Sequence, residues 1–309
     1  MKLQLETFPW HLVHPRYWFI WFLFFIWWIF AQLPYPILMR LGNFLGAVVF
    51  RFDTDRKRVA KRNIDLCFPS WDEFQKKKLL RENFASMGKA AFEIGIAWWW
   101  SEKRFAQLIK FEGVHHLNRD DRKGTLLLGI HYTTLEIGAA AATYICDKLD
   151  GMYRAHNNPV FDYIQARGRM SKAGGTTQVF ERRDVRACLR GLKSGRALWF
   201  GPDQDYGLSS GIFAPFFNVA AATVNTTARF SRSANAKVVP FSHVRMPNCE
   251  GYKVIFYPPI EHFPAGNDLE DAILINGIIE NLILLQPEQY LWVHRRFKNR
   301  PAGEPDVYF

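Results

Sequence analysis

Thr125-Leu126-Leu127-Leu128-Gly129-Ile130-His131-Tyr132-Thr133-Thr134-Leu135-Glu136 is the stretch on which the reading of this chain turns. The apolar run 125–130 reads as a buried strand. His131 stands at its exit. Thr133 or Thr134 caps a helix that continues through Leu135, Glu136 and the alanine run 139–142. A base at a strand's exit and a carboxylate on the next helix's first turn can meet in one cleft. There the carboxylate would hold the imidazole in one tautomer, ready to take a proton from a hydroxyl. His-x4-Glu alone recurs by chance, so the rest of the chain has to carry the assignment.

Outward from this unit the pattern repeats. Short apolar runs at 151–154, 176–180, 196–201, 237–244, 251–257 and 290–294 read as strands. Amphipathic stretches at 134–145, 160–173, 183–193, 222–233 and 269–285 read as helices, and 41–110 reads as helical throughout. Strands alternating with helices predict an α/β fold with a central, mostly parallel sheet flanked by helices. No internal repeat or low-complexity linker interrupts it. The expected organisation is a membrane anchor at 1–40 and one catalytic domain at 41–309.

The chain has 309 residues, a formal net charge of +11 and an aromatic content of 16%. Such a charge calls for an anionic partner. The N-terminus selects a membrane over nucleic acid. Residues 17–31 are uninterrupted apolar sequence with ten aromatics. As a helix they would cover ~22 Å, short of the ~30 Å hydrocarbon core. Pro34 and Pro36 prevent a straight extension. Tryptophans at 10, 18, 21, 27 and 28 suit the membrane–water interface. The expectation is a hydrophobic membrane helix that spans or lies deep in one leaflet. Arg51, Arg56, Lys57, Arg58, Lys61 and Arg62 follow, opposed by Asp53 and Asp55, and place the body on the cytoplasmic side. The four cysteines are widely separated, as expected of reduced thiols.

Three further segments leave predicted strands carrying polar groups, where ligands bind in open α/β sheets. They are Tyr153-Arg154, the loop Gly201-Pro202-Asp203-Gln204-Asp205-Tyr206-Gly207, and His294-Arg295-Arg296-Phe297-Lys298-Asn299-Arg300. Arg169 adds charge on a helix. Guanidinium groups clamp phosphate or carboxylate oxygens bidentately, though each arginine singly reads as a surface residue. Asp203 and Asp205, beside Pro202 and Gly207, are open to three readings: metal pair, phosphate-loop scaffold or turn formers. No histidine spacing supports a metal site. Gly207-Leu208-Ser209-Ser210-Gly211 imitates a nucleophile elbow, but lacks the preceding strand.

These blocks match a known family. His14-Pro15-Arg16-Tyr17-Trp18, Gln32-Leu33-Pro34-Tyr35-Pro36, 63–69 (NIDLCFP), 129–138 (GIHYTTLEIG), Tyr153-Arg154, Gly168-Arg169, 202–207 (PDQDYG) and 287–301 (PEQYLWVHRRFKNRP) resemble the late acyltransferases of lipid A biosynthesis. The pattern looks closest to the lauroyl or palmitoleoyl branch. The resemblance implies a glycerolipid-acyltransferase-like fold anchored at the bacterial inner membrane, with its active site on the cytoplasmic face. It implies transfer of a fatty acyl chain, lauroyl by closest likeness, from acyl carrier protein to a hydroxyl of a 3-hydroxyacyl chain on a Kdo-bearing lipid A precursor. No cofactor is implied. By the same resemblance His131 and Glu136 are catalytic, and Arg154, Arg169, Asp203, Asp205, Arg295 and Arg296 hold substrate. Oxyanion donors would be backbone amides near His131, or Arg154. A glycerolipid acyltransferase sharing the His-x4-Glu pattern and a non-catalytic lipid-binding protein remain as rivals.

Overall fold

A computed structural model describes residues 8–117, 124–146, 148–172, 177–181, 184–209 and 211–308. Its strands are β1 Ile109–Glu112, β2 Thr125–Leu128, β3 Leu149–Tyr153, β4 Gln178–Glu181, β5 Ala197–Phe200, β6 Gly211–Phe216, β7 Val219–Val224, β8 Lys237–Arg245 and β9 Tyr252–Phe256. Seven form one sheet in the order β1-β9-β8-β2-β5-β3-β4. Every neighbouring pair in it is parallel except β8 with β9. β6 and β7 form a separate hairpin.

The helices are α1 Trp18–Ala31, α2 Tyr35–Arg51, α3 Asp55–Cys67, α4 Glu73–Trp99, α5 Glu102–Ala106, α6 Leu135–Ile145, α7 Pro159–Arg169, α8 Val185–Lys193, α9 Thr226–Ala234 and α10 Asp268–Leu285. β2 is buried along its whole length, as a central parallel strand covered on both faces must be. Leu127, Ala197, Val239 and Phe241 pack with α6 and the N-terminal helices. Leu126, Leu128, Leu198 and Val238 pack on the other face with residues of α3, α8, α10 and the C-terminal segment. The alternation within Leu126-Leu127-Leu128 is the pleat dividing one apolar run between two cores.

α1 covers the expected apolar run but for its first residue. Pro34 ends it, and α2 begins with Tyr35-Pro36. No helix among the described residues is long and apolar enough to cross a membrane, which corrects the transmembrane expectation. One face of α1 is docked: Trp27 Nε1 donates to Ala91 O at 2.9 Å, and the Phe24 and Phe161 rings lie 5.4 Å apart. The opposite face leaves Trp18, Phe19, Phe22 and Phe25 exposed.

Two other expectations are corrected. The segment 290–294 is no strand, and makes only an isolated bridge between Tyr132 and Tyr290. Asn83 Nδ2 donates to the carbonyls of Glu288 and Tyr290, and Asn63 Nδ2 to those of Trp292 and His294, so side-chain amides replace a ladder. The stretch 222–233 is divided: 222–224 belong to β7, and the helix starts at Thr226. The β6–β7 hairpin itself was unread, because its turn residues are Phe217 and Asn218, both at positive φ, where a glycine would have signalled it. Ala173, Thr176, Arg183 and Ser210, included in the ranges above, lie outside the described residues.

Candidate active site

β2 and β5 are parallel neighbours with Leu128 opposite Phe200, and His131 and Asp203 each stand three residues beyond that pair. The topology thus sets side by side two residues far apart in sequence. Asp203 Oδ1 lies 2.6 Å from His131 Nδ1, and Asp203 Oδ2 accepts the His131 backbone N–H at 2.9 Å. The Asp203 side chain is completely buried. Burial alone would raise its pKa, but the His131 ring and these hydrogen bonds outweigh that, so the carboxyl is held below its ordinary range. An ionised Asp203 makes Nδ1 the protonated nitrogen and leaves Nε2 as the acceptor. Trp199 packs edge-on against the ring at a centroid distance of 5.3 Å. Gly201 permits this arrangement, since a Cβ there would come within 2.8 Å of His131 Cε1.

This corrects the role expected of Glu136. No hydrogen bond joins it to His131. Arg169 Nε donates to its two oxygens at 3.0 and 3.2 Å, Arg169 Nη2 donates to Oε1, and Trp98 Nε1 donates to Oε2 at 2.8 Å. Burial opposes ionisation of Glu136, but the Arg169 charge and these hydrogen bonds prevail and lower its pKa. Its helix position is as expected; its partner comes from α7. His131, Glu136 and Arg169 line a single cavity of about 700 Å³. Leu135, Ala139, Met152 and Val179 give it apolar walls, while Arg154, Gln204 and Lys298 add polar groups.

The remaining predicted residues separate. Arg154 is exposed and lines the cavity. Asp205 reaches the cavity, but its carboxylate accepts N–H groups from Gly207 and Asn299 and from the Asn299 side chain. It acts as a loop staple, resolving the sequence ambiguity toward turn former. Arg296 is buried and is not among the cavity-lining residues, donating to Ala222 O and Thr223 Oγ1 and lying over the Phe216 ring. Arg295 is not among the cavity-lining residues and stands 6.0 Å from the Tyr308 ring. Arg296 thus braces the β6–β7 hairpin, while within the C-terminal segment it is His294 and Asn299 that brace the loop carrying Asp203. Tyr290 Oη donates to Asp203 O at 3.2 Å in the same brace.

The proposed oxyanion amides are also spent. The N–H groups of His131, Tyr132 and Thr133 donate to Asp203, Ile130 O and Gln289 O. Sequence reasoning missed Trp98 and Trp199 as partner and cavity residues, because nothing local marks an indole as facing a cleft; Lys298 lies in the segment from His294 that it did single out. Among the described residues no three His, Cys, Asp or Glu side chains converge as a metal cage.

Two further histidines are held neutral. Burial pushes His243 down to about 3 and His294 down to about 4. His243 Nδ1 lies 3.0 Å from Thr134 Oγ1, and His294 Nε2 accepts the Asp205 N–H at 3.2 Å. Both folded values lie below the ~6.5 of a free histidine, so the unfolded chain takes up these protons first. Stability should fall as pH drops below ~6.5, by up to ~1.4 kcal/mol per pH unit for each ring. Urea midpoints at pH ~7 and pH ~5 check this: a clearly lower midpoint in acid is expected, and equal midpoints would refute it.

Residues 5–299 match the family of bacterial lipid A biosynthesis acyltransferases. The chain is 39% identical over 309 residues to the lipid A biosynthesis lauroyltransferase of Escherichia coli K12, covering 99% of both chains. It is 39% identical over 299 residues to the palmitoleoyltransferase of the same organism, covering 96% of both. A lipid A biosynthesis acyltransferase of Haemophilus influenzae is 34% identical over 310 residues, covering 99% of this chain and 98% of that one. With a match spanning nearly its whole length and relatives this similar, the chain belongs to the bacterial lipid A biosynthesis acyltransferase family and is an acyltransferase.

Proposed function

We propose that the enzyme transfers a fatty acyl chain from acyl carrier protein to a hydroxyl of a 3-hydroxyacyl chain on a Kdo-bearing lipid A precursor. The observation that carries this reading is the 2.6 Å contact of buried Asp203 with Nδ1 of His131, which lines a largely apolar cavity. A thioester is already activated, so the chemical need is a base for the alcohol. His131 Nε2 takes the acceptor's proton as the alkoxide oxygen attacks the thioester carbonyl. The tetrahedral intermediate collapses, the C–S bond breaks, and the imidazolium returns the proton to the departing thiolate. Asp203 stabilises the imidazolium in between. We assign the oxyanion to Arg169, whose guanidinium Glu136 fixes against the cavity wall. Arg154 and Lys298 supply positive charge for the acceptor's phosphates and Kdo carboxylates.

Lauroyl or palmitoleoyl transfer is favoured over myristoyl. Identity is 39% to relatives named for the first two and 26% to the Escherichia coli relative named for the third. The test is acceptor choice with one acyl carrier protein thioester. Transfer to a Kdo-bearing lipid A precursor, and none to glycerol 3-phosphate or its monoacyl derivative, is expected. The reverse pattern would make the protein a glycerolipid acyltransferase.

The same reading sets the body on the cytoplasmic face of the inner membrane, held by α1 and α2 lying in one leaflet. Its support is the exposed apolar face of Trp18, Phe19, Phe22 and Phe25, with Phe44 on α2, beside exposed Arg56, Arg58 and Lys61. Replacing Trp18, Phe19, Phe22 and Phe25 together by serine should lower partition onto anionic vesicles by at least about tenfold, given the ~1.5–3 kcal/mol that burying each such side chain contributes. Co-sedimentation measures it, and unchanged partition would remove the leaflet assignment.

A further inference from the structure

Strand register places Leu127 of β2, Trp199 of β5, Gly151 of β3 and Val179 of β4 in one row across the sheet. Leu127, Trp199 and Val179 project apolar side chains. Gly151 projects nothing. A Cβ built on it meets no heavy atom of the described residues within 4 Å, so none of their backbone or side chains fills the gap. A glycine inside a strand weakens it, and commonly marks close approach of backbone or of a ligand. No backbone of the described residues approaches here. The space over Gly151 opens instead into the cavity that His131 lines.

The opposite wall has matching form. Leu135, Ala139 and Thr143 of α6 line the same cavity at four-residue intervals, one stripe of the helix. From the first to the third the helix rises ~12 Å at 1.5 Å per residue. Thr143 donates its hydroxyl to Ala140 O at 2.7 Å, which removes that polar group from the wall. Leu149, at the start of β3, lines the cavity with Thr143. The result is a trough between α6 and β3, leading away from His131 and floored by a residue with no side chain.

We propose that Gly151 sets the length of acyl chain this enzyme transfers. The thioester carbonyl lies at His131, the chain passes over Gly151, and its methyl end lies toward Thr143 and Leu149. This rests on the acyl-transfer reading above, and adds to it the residue that selects among donors. A side chain at 151 would fill the trough partway along, leaving room for a short chain and excluding a long one. The strand should tolerate it, since the added Cβ meets nothing.

The test compares decanoyl, lauroyl, myristoyl and palmitoyl thioesters of acyl carrier protein with wild type, Gly151→Ala, Gly151→Leu and Thr143→Leu. The readout is the ratio of kcat/KM between the longest donor that wild type uses well and decanoyl. Gly151→Leu should lower that ratio by at least about tenfold, the scale on which an apolar pocket discriminates methylenes. Gly151→Ala should give a smaller shift in the same direction, and Thr143→Leu should shift it from the facing wall. Unchanged donor ranking in Gly151→Leu and Thr143→Leu, with wild type active, overturns the assignment of Gly151 alone. Wild type that transfers none of the four donors, nor palmitoleoyl, overturns the acyl-transfer reading, and this inference with it.

Discussion

Asp203→Asn should lower kcat by about a thousandfold or more while leaving the fold intact, the scale seen when a base is held in the wrong tautomer. Both Asp203 oxygens accept: one from the His131 backbone N–H, the other at Nδ1. Asparagine has one acceptor and one donor at those positions. The backbone N–H cannot reverse its role, so the amide oxygen must face it. The amide NH2 then faces Nδ1 and makes that nitrogen the acceptor. The proton moves to Nε2, where the base is needed. Steady-state kinetics with a circular dichroism control checks this; near-wild-type kcat would exclude Asp203 as the orienting group.

Glu136→Ala should unfold the protein more readily, by about 3 kcal/mol or more, because it strands the Arg169 guanidinium without a partner in a largely desolvated site. Arg169→Ala should act similarly by stranding the carboxylate. Replacing both, as Glu136→Leu with Arg169→Met, removes the charges together and should recover most of that stability while acyl transfer stays lost. A Glu136 that merely oriented His131 would behave otherwise. Its loss would reduce activity with little change in stability, and the double replacement would rescue nothing. Chemical denaturation of the three variants decides between the two roles.

The contrast between Asp203 and Glu136 marks how far sequence reaches into this site. Periodicity located β2, α6 and the placement of His131 at a strand's exit, because those are local consequences of side-chain alternation and capping. It also placed Tyr153-Arg154 and the Asp203 loop at strand ends. What it could not supply was the neighbour order β2-β5-β3. Adjacency in a parallel sheet is decided by crossovers, and no local pattern records it. Without that order the carboxylate nearest in sequence, Glu136, stood in for the one nearest in space.

The arginine block at 295–296 misled for a related reason. A guanidinium at an element's end reads as a ligand clamp, yet Arg296 spends its donors on the backbone and threonine of a hairpin whose existence the chain concealed. The N-terminal helix was legible in composition and extent, but not in what surrounds it. Ten aromatics without a polar face indicated apolar surroundings on every side, and the structure divides them between Ala91 and Phe161 within and an exposed face without.

The central claim is that one imidazole, fixed by Asp203, removes the acceptor's proton. Single-turnover transfer from an acyl carrier protein thioester to a lipid A precursor, by purified His131→Ala beside wild type, tests it most directly. The account predicts no detectable acylated product from the variant, with a folded circular dichroism spectrum and unchanged vesicle binding. Product formed at a rate within about tenfold of wild type, far less than general-base removal costs, would contradict it.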